Sequence, residues 1–296
     1  MSWWLQLDHK RGSQPRCASF MEGTRKEIAQ RLTGLVNCPG VRVEPENHWM
    51  PTGLPVENPD GSWDKGPAKE VTLDNPNLLL SAEESQRLKQ WWLCHPSTKA
   101  NTPNWDIAST CRVDGRKGLL LVEAKAHANE LIEADAGKKL DAKASKKSFG
   151  NHVRIGDNIA EASACLQRDT KLRWAISRDL CYQMSNRFAM ASQLTEMGHA
   201  VVLVYLGFLK ADEMADRGNL YTSPSSWEDA VEQHSRILFP RRVWEQPWTL
   251  NHLPFLPLIR SIEWHYQPDG PMASRTPAVK AESQGGSKRE LPEMGT

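Results

Sequence analysis

Gly118-Leu119-Leu120-Leu121-Val122-Glu123-Ala124-Lys125 is an apolar run that ends on two charges. Its length and its leucine and valine content predict a β-strand, and the lack of alternation predicts a central strand covered on both faces. Charges at the end of such a strand are costly to bury unless they meet partners. Residues two apart in a strand share a face and lie roughly 7 Å apart, so Glu123 and Lys125 point the same way.

The pairing strand precedes this run. Trp105-Asp106-Ile107-Ala108-Ser109 begins it, and Asp114-Gly115 is a hairpin turn signal. Loop length then decides where Asp106 points. A two-residue loop at Asp114-Gly115 sets Asp106 across from Glu123, and a four-residue loop over 114–117 sets it across from Lys125. An odd loop without a bulge turns Asp106 to the opposite face. With an even loop, two carboxylates and an ammonium meet. Paired carboxylates hold one or two Mg²⁺ (or Mn²⁺) ions through oxygen ligands, and the Ala124 carbonyl is a further oxygen nearby. A lysine beside them orients water or neutralises charge developing on a phosphate. The plain alternative is a strand-end ion pair. An acid-x-Lys triplet alone is common by chance, and its hairpin context is what makes this one specific.

Outward from the hairpin, helical periodicity runs over residues 18–36, and 38–80 reads as a long loop rich in Pro, Gly, Asn and Asp. Ser81-Ala82-Glu83-Glu84 opens a helix that runs to about Leu93 and is stopped by Pro96. Residues 127–155 read as a partly mobile connector with room for a short helix. Residues 156–197 read as two helices broken around 168–178. His199–Leu209 reads as a buried strand, Ser225–Leu238 as a capped helix and Phe255–Trp264 as a last strand. From about Gln267 the composition is that of a disordered tail. The order is that of an α/β protein around a mixed sheet. It divides into an N-terminal segment (1–80), a core (81–210), an extension packed on the core (211–266) and the tail (267–296).

The 296 residues, 39% hydrophobic and 25% charged, suit an ordinary globular protein. No run approaches the roughly 20 apolar residues of a membrane helix. The apolar stretch Met1–Leu7 is too short and wrongly flanked for a signal peptide, so a cytoplasmic location is expected. The six cysteines show no CxxC pair, which argues against structural zinc; Cys94-His95 is the one adjacent pair of soft ligands. A net charge of +1 hides two basic stretches. One runs Lys138, Lys139, Lys143, Lys146, Lys147, His152, Arg154, and the other Arg168, Lys171, Arg173, Arg178, Arg187. Each reads equally as a nucleic-acid stripe or a solvated helical face. The 12 tryptophans read mostly as core.

"NWDIAS" (104–109) followed by "GLLLVEAKAH" (118–127) resembles the PD-(D/E)XK nuclease superfamily, with Trp105 standing where the motif's name has proline. The resemblance spans about residues 81–210. It implies a restriction-endonuclease-like α-β-β-(β)-α-β core, a metal-dependent nuclease acting on DNA, Asp106 and Glu123 as metal ligands and Lys125 as the catalytic lysine. It also points to an acid on the preceding helix, Glu84 or its neighbour Glu83, although acids in a first turn equally suit the helix dipole. Gln183, Asn186 and Arg187, spaced i, i+3, i+4, share a helix face where the family carries polar residues near the site. Arg187 there is suited to clamping a phosphate. His127, and similarly Glu130, stand close enough past Lys125 to contact substrate. A non-catalytic nucleic-acid-binding or assembly module is the competing expectation, and a homodimer or a partner protein stays open.

Overall fold

The structure is a computed structural model, and it describes residues 11–266 apart from 61, 97–100 and 133–135. The expectations for Met1–Leu7 and for the tail from Gln267 lie outside the described residues.

The hairpin turn at Asp114 (φ 48°) and Gly115 (φ 76°) has two residues, both left-handed, as the twist of flanking strands favours. It joins β7 (Ile107–Val113) to β8 (Arg116–Lys125) with Val113 opposite Arg116 and Ile107 opposite Val122. With this pair included, the described residues form seven α-helices and eleven strands. The helices are α1 (Ser13–Phe20), α2 (Arg25–Val36), α3 (Ala82–Trp92), α4 (Ala128–Ile132), α5 (Lys146–Thr170), α6 (Tyr182–Glu196) and α7 (Pro224–Ser235). The remaining strands are β1 (Val41–Arg42), β2 (Trp49–Met50), β3 (Val56–Glu57), β4 (Trp63–Asp64), β5 (Val71–Thr72), β6 (Asn104–Trp105), β9 (Ala200–Leu209), β10 (Trp248–Leu250) and β11 (Leu253–Glu263).

The main sheet is mixed and has the order β1-β7-β8-β9-β11-β10, with β2 also on β7. β8, β9 and β11 are parallel neighbours, and β7 and β10 are antiparallel to theirs. Helices cover both faces, which is why β8 and β9 lack alternation. Leu119, Leu121, Val201, Leu203 and Tyr205 pack against α3, α5 and α6 in one core, whereas Leu120, Val122, Ala124, Val202 and Val204 pack against α1 and α2 in the other. Odd positions of β8 therefore face the α5–α6 side. Glu123 and Lys125 inherit that side.

Several elements differ from expectation, each for a local reason. The helix expected over 18–36 is two helices. Gly23 (φ 119°) breaks the chain, and Thr24 restarts it in a capping box with Glu27. The described residues of the connector 127–155 hold more helix than one short segment: α4 follows β8 at once, and α5 starts at Lys146 behind a Ser145 cap. The polar turns of α5 line a cavity, so the helix needs few apolar residues there. Residues 38–80 hold five two-residue strands, two of which extend the sheet at β7. The segment 211–266 supplies β11, an internal strand of the main sheet lying between β9 and β10. No described helix is long and apolar enough to cross a membrane.

Candidate active site

Asp106 sits at the bend between β6 and β7. Two registers meet there. Continuing the β7–β8 pairing places Asp106 across from Glu123, and continuing the β5–β6 pairing (Val71 with Trp105) places it across from Glu70. Glu123 itself pairs with Tyr205 of β9. One row across the protein thus carries Glu70, Asp106 and Glu123. Asp106 Oδ2 accepts a hydrogen bond from the Ala124 amide at 2.7 Å, which ties the bend to β8.

Glu123 is almost fully enclosed, at 1% exposure, and both its oxygens are engaged. Lys125 Nζ donates to Oε1. Arg187 of α6 donates from Nε to Oε2 at 2.6 Å. The Arg187 guanidinium also stacks 4.5 Å over the Trp105 ring and donates to Asn186 Oδ1 at 2.8 Å. Burial works against the charge of Glu123, but Arg187 and then Lys125 outweigh it and hold the carboxyl below its ordinary range. Lys125 is likewise disfavoured by burial, yet Glu123 and Asp106 raise it above the ordinary lysine value. Asp106 behaves oppositely. Desolvation, then the charge of Glu123, push it well above 3.8, with Lys125 offsetting only part. Two adjacent carboxylates with divergent affinities for protons form the centre of the site.

These groups lie on a cavity of about 800 Å³. Asp106, Glu123, Lys125, Asn186, Arg187 and Gln183 all line it. Of the residues singled out in the sequence, the structure therefore brings together the hairpin trio and the whole polar face of α6. That face is no solvent stripe: Asn186 and Arg187 are buried, and Arg187 is committed to Glu123.

Two predicted residues lie elsewhere. Glu84 caps α3 through Ser81, and its Oε1 lies 2.9 Å from His199 Nε2. His199 directly precedes Ala200, which registers with Gly118 at the start of β8, roughly 20 Å along that strand from Lys125. Glu84 is thus a helix cap, and its neighbour Glu83 is exposed. His127 does not line the cavity either. The chain bends at Ala126, and the imidazole is buried with Nε2 3.7 Å from Glu130.

Two acids line the cavity instead: Glu70, which the sequence did not single out, and Glu130, which it did. Glu70, half-buried, lines the cavity and accepts from Asn104 Nδ2 at 3.0 Å. Its signal was faint: the short β-branched pair Val71-Thr72 directly after it, inside a stretch otherwise rich in loop residues. Glu130 also lines the cavity and accepts from the Ala126 amide at 2.6 Å and the Ser13 amide at 3.3 Å, so it joins the start of α1 to the end of β8. Among the described residues no three His, Cys, Asp or Glu side chains form a ready metal cluster, and all six cysteines are free. No protein-family model, curated protein or solved structure matches the chain.

Proposed function

We propose that this chain is a divalent-metal-dependent nuclease of restriction-endonuclease-like type that hydrolyses phosphodiester bonds, with DNA as its substrate. The observation that carries this reading is the convergence of Asp106, Glu123 and Lys125 on one cavity, with Arg187 as a second buried cation. A stability role alone explains this poorly, because buried ion networks are often no better than apolar packing.

The donor set fits Mg²⁺ or Mn²⁺. Asp106 and Glu123 are adjacent hard oxygen donors, Ala124 joins Glu123 to Lys125 with its amide on Asp106, and Glu70 is a further acid on the same row. Burial and the charge of Glu123 raise the affinity of Asp106 for its proton, so a cation at the pair would favour its ionised form. The bound ion would supply Lewis acidity toward the phosphoryl group and an acidified water. Lys125, held as an ammonium by two carboxylates, serves as a charge and donor toward phosphate and not as a base. Arg187 orients Glu123 and balances the acids. Glu123 and Lys125 are themselves buried, which strengthens the interactions between their charges.

Purified protein is expected to cleave DNA with Mg²⁺ or Mn²⁺ and not with EDTA. Lys125→Ala should lower the rate at least about 100-fold, within the range for loss of a key electrostatic group. Unchanged cleavage by a folded Lys125→Ala protein sinks the assignment. A catalytically silent nucleic-acid-binding module is the second reading, favoured by the engagement of both Glu123 oxygens with cations. Calorimetry separates the two: a silent module takes up no Mn²⁺ at Asp106 and Glu123.

A further inference from the structure

The basic stretch 138–154 carries six lysines and arginines against a single acid, Asp141. It is not a remote solvated face. Lys138, Lys139 and Leu140 line the same cavity as Asp106, Glu123 and Lys125, and so do Ser148, Asn151 and His152 from the first turns of α5. Ser148, Asn151, His152 and Ile155 follow i, i+3, i+4, i+7 spacing, so one face of α5 forms a cavity wall. Phe149 stands beside that face and is 57% exposed, an unusual place for a phenylalanine. Lys138 lies over the ring of Tyr182, itself a lining residue, at 4.7 Å. Lys138, Lys139 and Tyr182 thus line the cavity itself, and Phe149 offers an exposed ring next to Ser148 of its wall.

The floor of that cavity restricts what can use it. Glu123 and Lys125 are 1% and 6% exposed. At about 800 Å³ the cavity falls in the size class that encloses one drug-sized molecule. A few nucleotides of a single strand fit such a space, whereas the stacked, paired body of a duplex does not. Basic grooves with exposed aromatics are how proteins hold single strands, with phosphates on the cations and a base stacked on the ring.

We propose that the substrate enters as an unpaired strand, its backbone tracking Lys138 and Lys139 toward Lys125 and one base stacking on Phe149. This rests on the nuclease reading for its substrate, but it is tested by binding alone. Full-length protein in EDTA is titrated with a short labelled single strand of mixed-sequence DNA, and with the same strand annealed into a blunt duplex, by fluorescence anisotropy. The single strand is expected to bind at least about tenfold tighter, and Phe149→Ala to weaken it at least about fivefold, in keeping with loss of a stacked base. Lys138→Gln with Lys139→Gln should make the slope of log affinity against log salt shallower by about 1.4. Phe149 is exposed, so its removal leaves folding unchanged by circular dichroism. Equal or tighter binding of the duplex, or an unaffected Phe149→Ala, overturns the proposal. If wild type still cleaves duplex DNA with Mg²⁺, the nuclease reading survives that failure. If single strands bind as expected and no nucleic acid is cut, the nuclease reading fails and the entrance stands.

Discussion

Asp106 and Glu123 are neighbours with opposite electrostatic fates, and they should respond oppositely to neutralisation. Glu123 has its folded-state affinity for protons depressed by Arg187 and Lys125. Its contribution to stability is present above the ordinary glutamate value of 4.5 and is lost as pH falls through the folded-state value. Glu123→Gln leaves two buried cations without their shared counter-charge, and it should cost roughly 3–5 kcal/mol at neutral pH. Asp106 has its affinity raised, so its contribution is full below 3.8 and is lost as pH rises through the folded-state value. Asp106→Asn keeps an oxygen for the Ala124 amide and removes that penalty. The variant should therefore be more stable than wild type at neutral pH and equal to it in acid, while cleavage is lost. Urea titrations across pH test both. A destabilised Asp106→Asn protein at neutral pH contradicts this account of the pair.

At the scale of elements, the hairpin was legible because its information is local. Asp114-Gly115 sets a two-residue loop, that loop sets the pairing, and the pairing sets the face of Asp106. The polar face of α6 was legible from spacing, though not its burial. Glu70 was not legible, because its position depends on Val71 pairing with Trp105 across the chain and nothing near it in sequence announces that partner. Glu84 shows the reverse case. Ser81-x-x-Glu84 is a local capping signature, and the cap is what the structure contains. The close approach at Gly207 was equally hidden. This residue registers with Lys125 at the cavity end of β8, and a Cβ there would lie 2.5 Å from the Trp227 ring of α7. The indole is fully buried and donates to the Tyr205 carbonyl at 3.3 Å. It has no room to retreat, so Gly207→Ala should cost about 1–3 kcal/mol by overpacking. An undiminished thermal midpoint in that variant would show that α7 is seated less tightly than its contacts indicate.

At the scale of the whole molecule, the fold brings together oxygen donors that lie far apart in the chain: Glu70 before β5, Asp106 before β7 and Glu123 on β8. An unfolded chain cannot hold such a set, so a metal that binds it binds the folded state alone. Ligand bound only to the native state stabilises by RT ln(1 + [L]/Kd), about 2.7 kcal/mol at a concentration of 100 Kd. In a domain of this size each kcal/mol moves the midpoint by roughly 2–4 °C, so saturating Mn²⁺ should raise it by roughly 5–10 °C. The pH dependence carries a sign of its own. Asp106 must lose its proton to ligate, and its raised affinity makes protons competitors well above pH 3.8. The Mn²⁺-induced shift should therefore grow as pH rises, vanish with EDTA, and be absent in Asp106→Asn at every pH. A shift that persists in Asp106→Asn, or that shrinks as pH rises, would place the ion somewhere other than this hairpin.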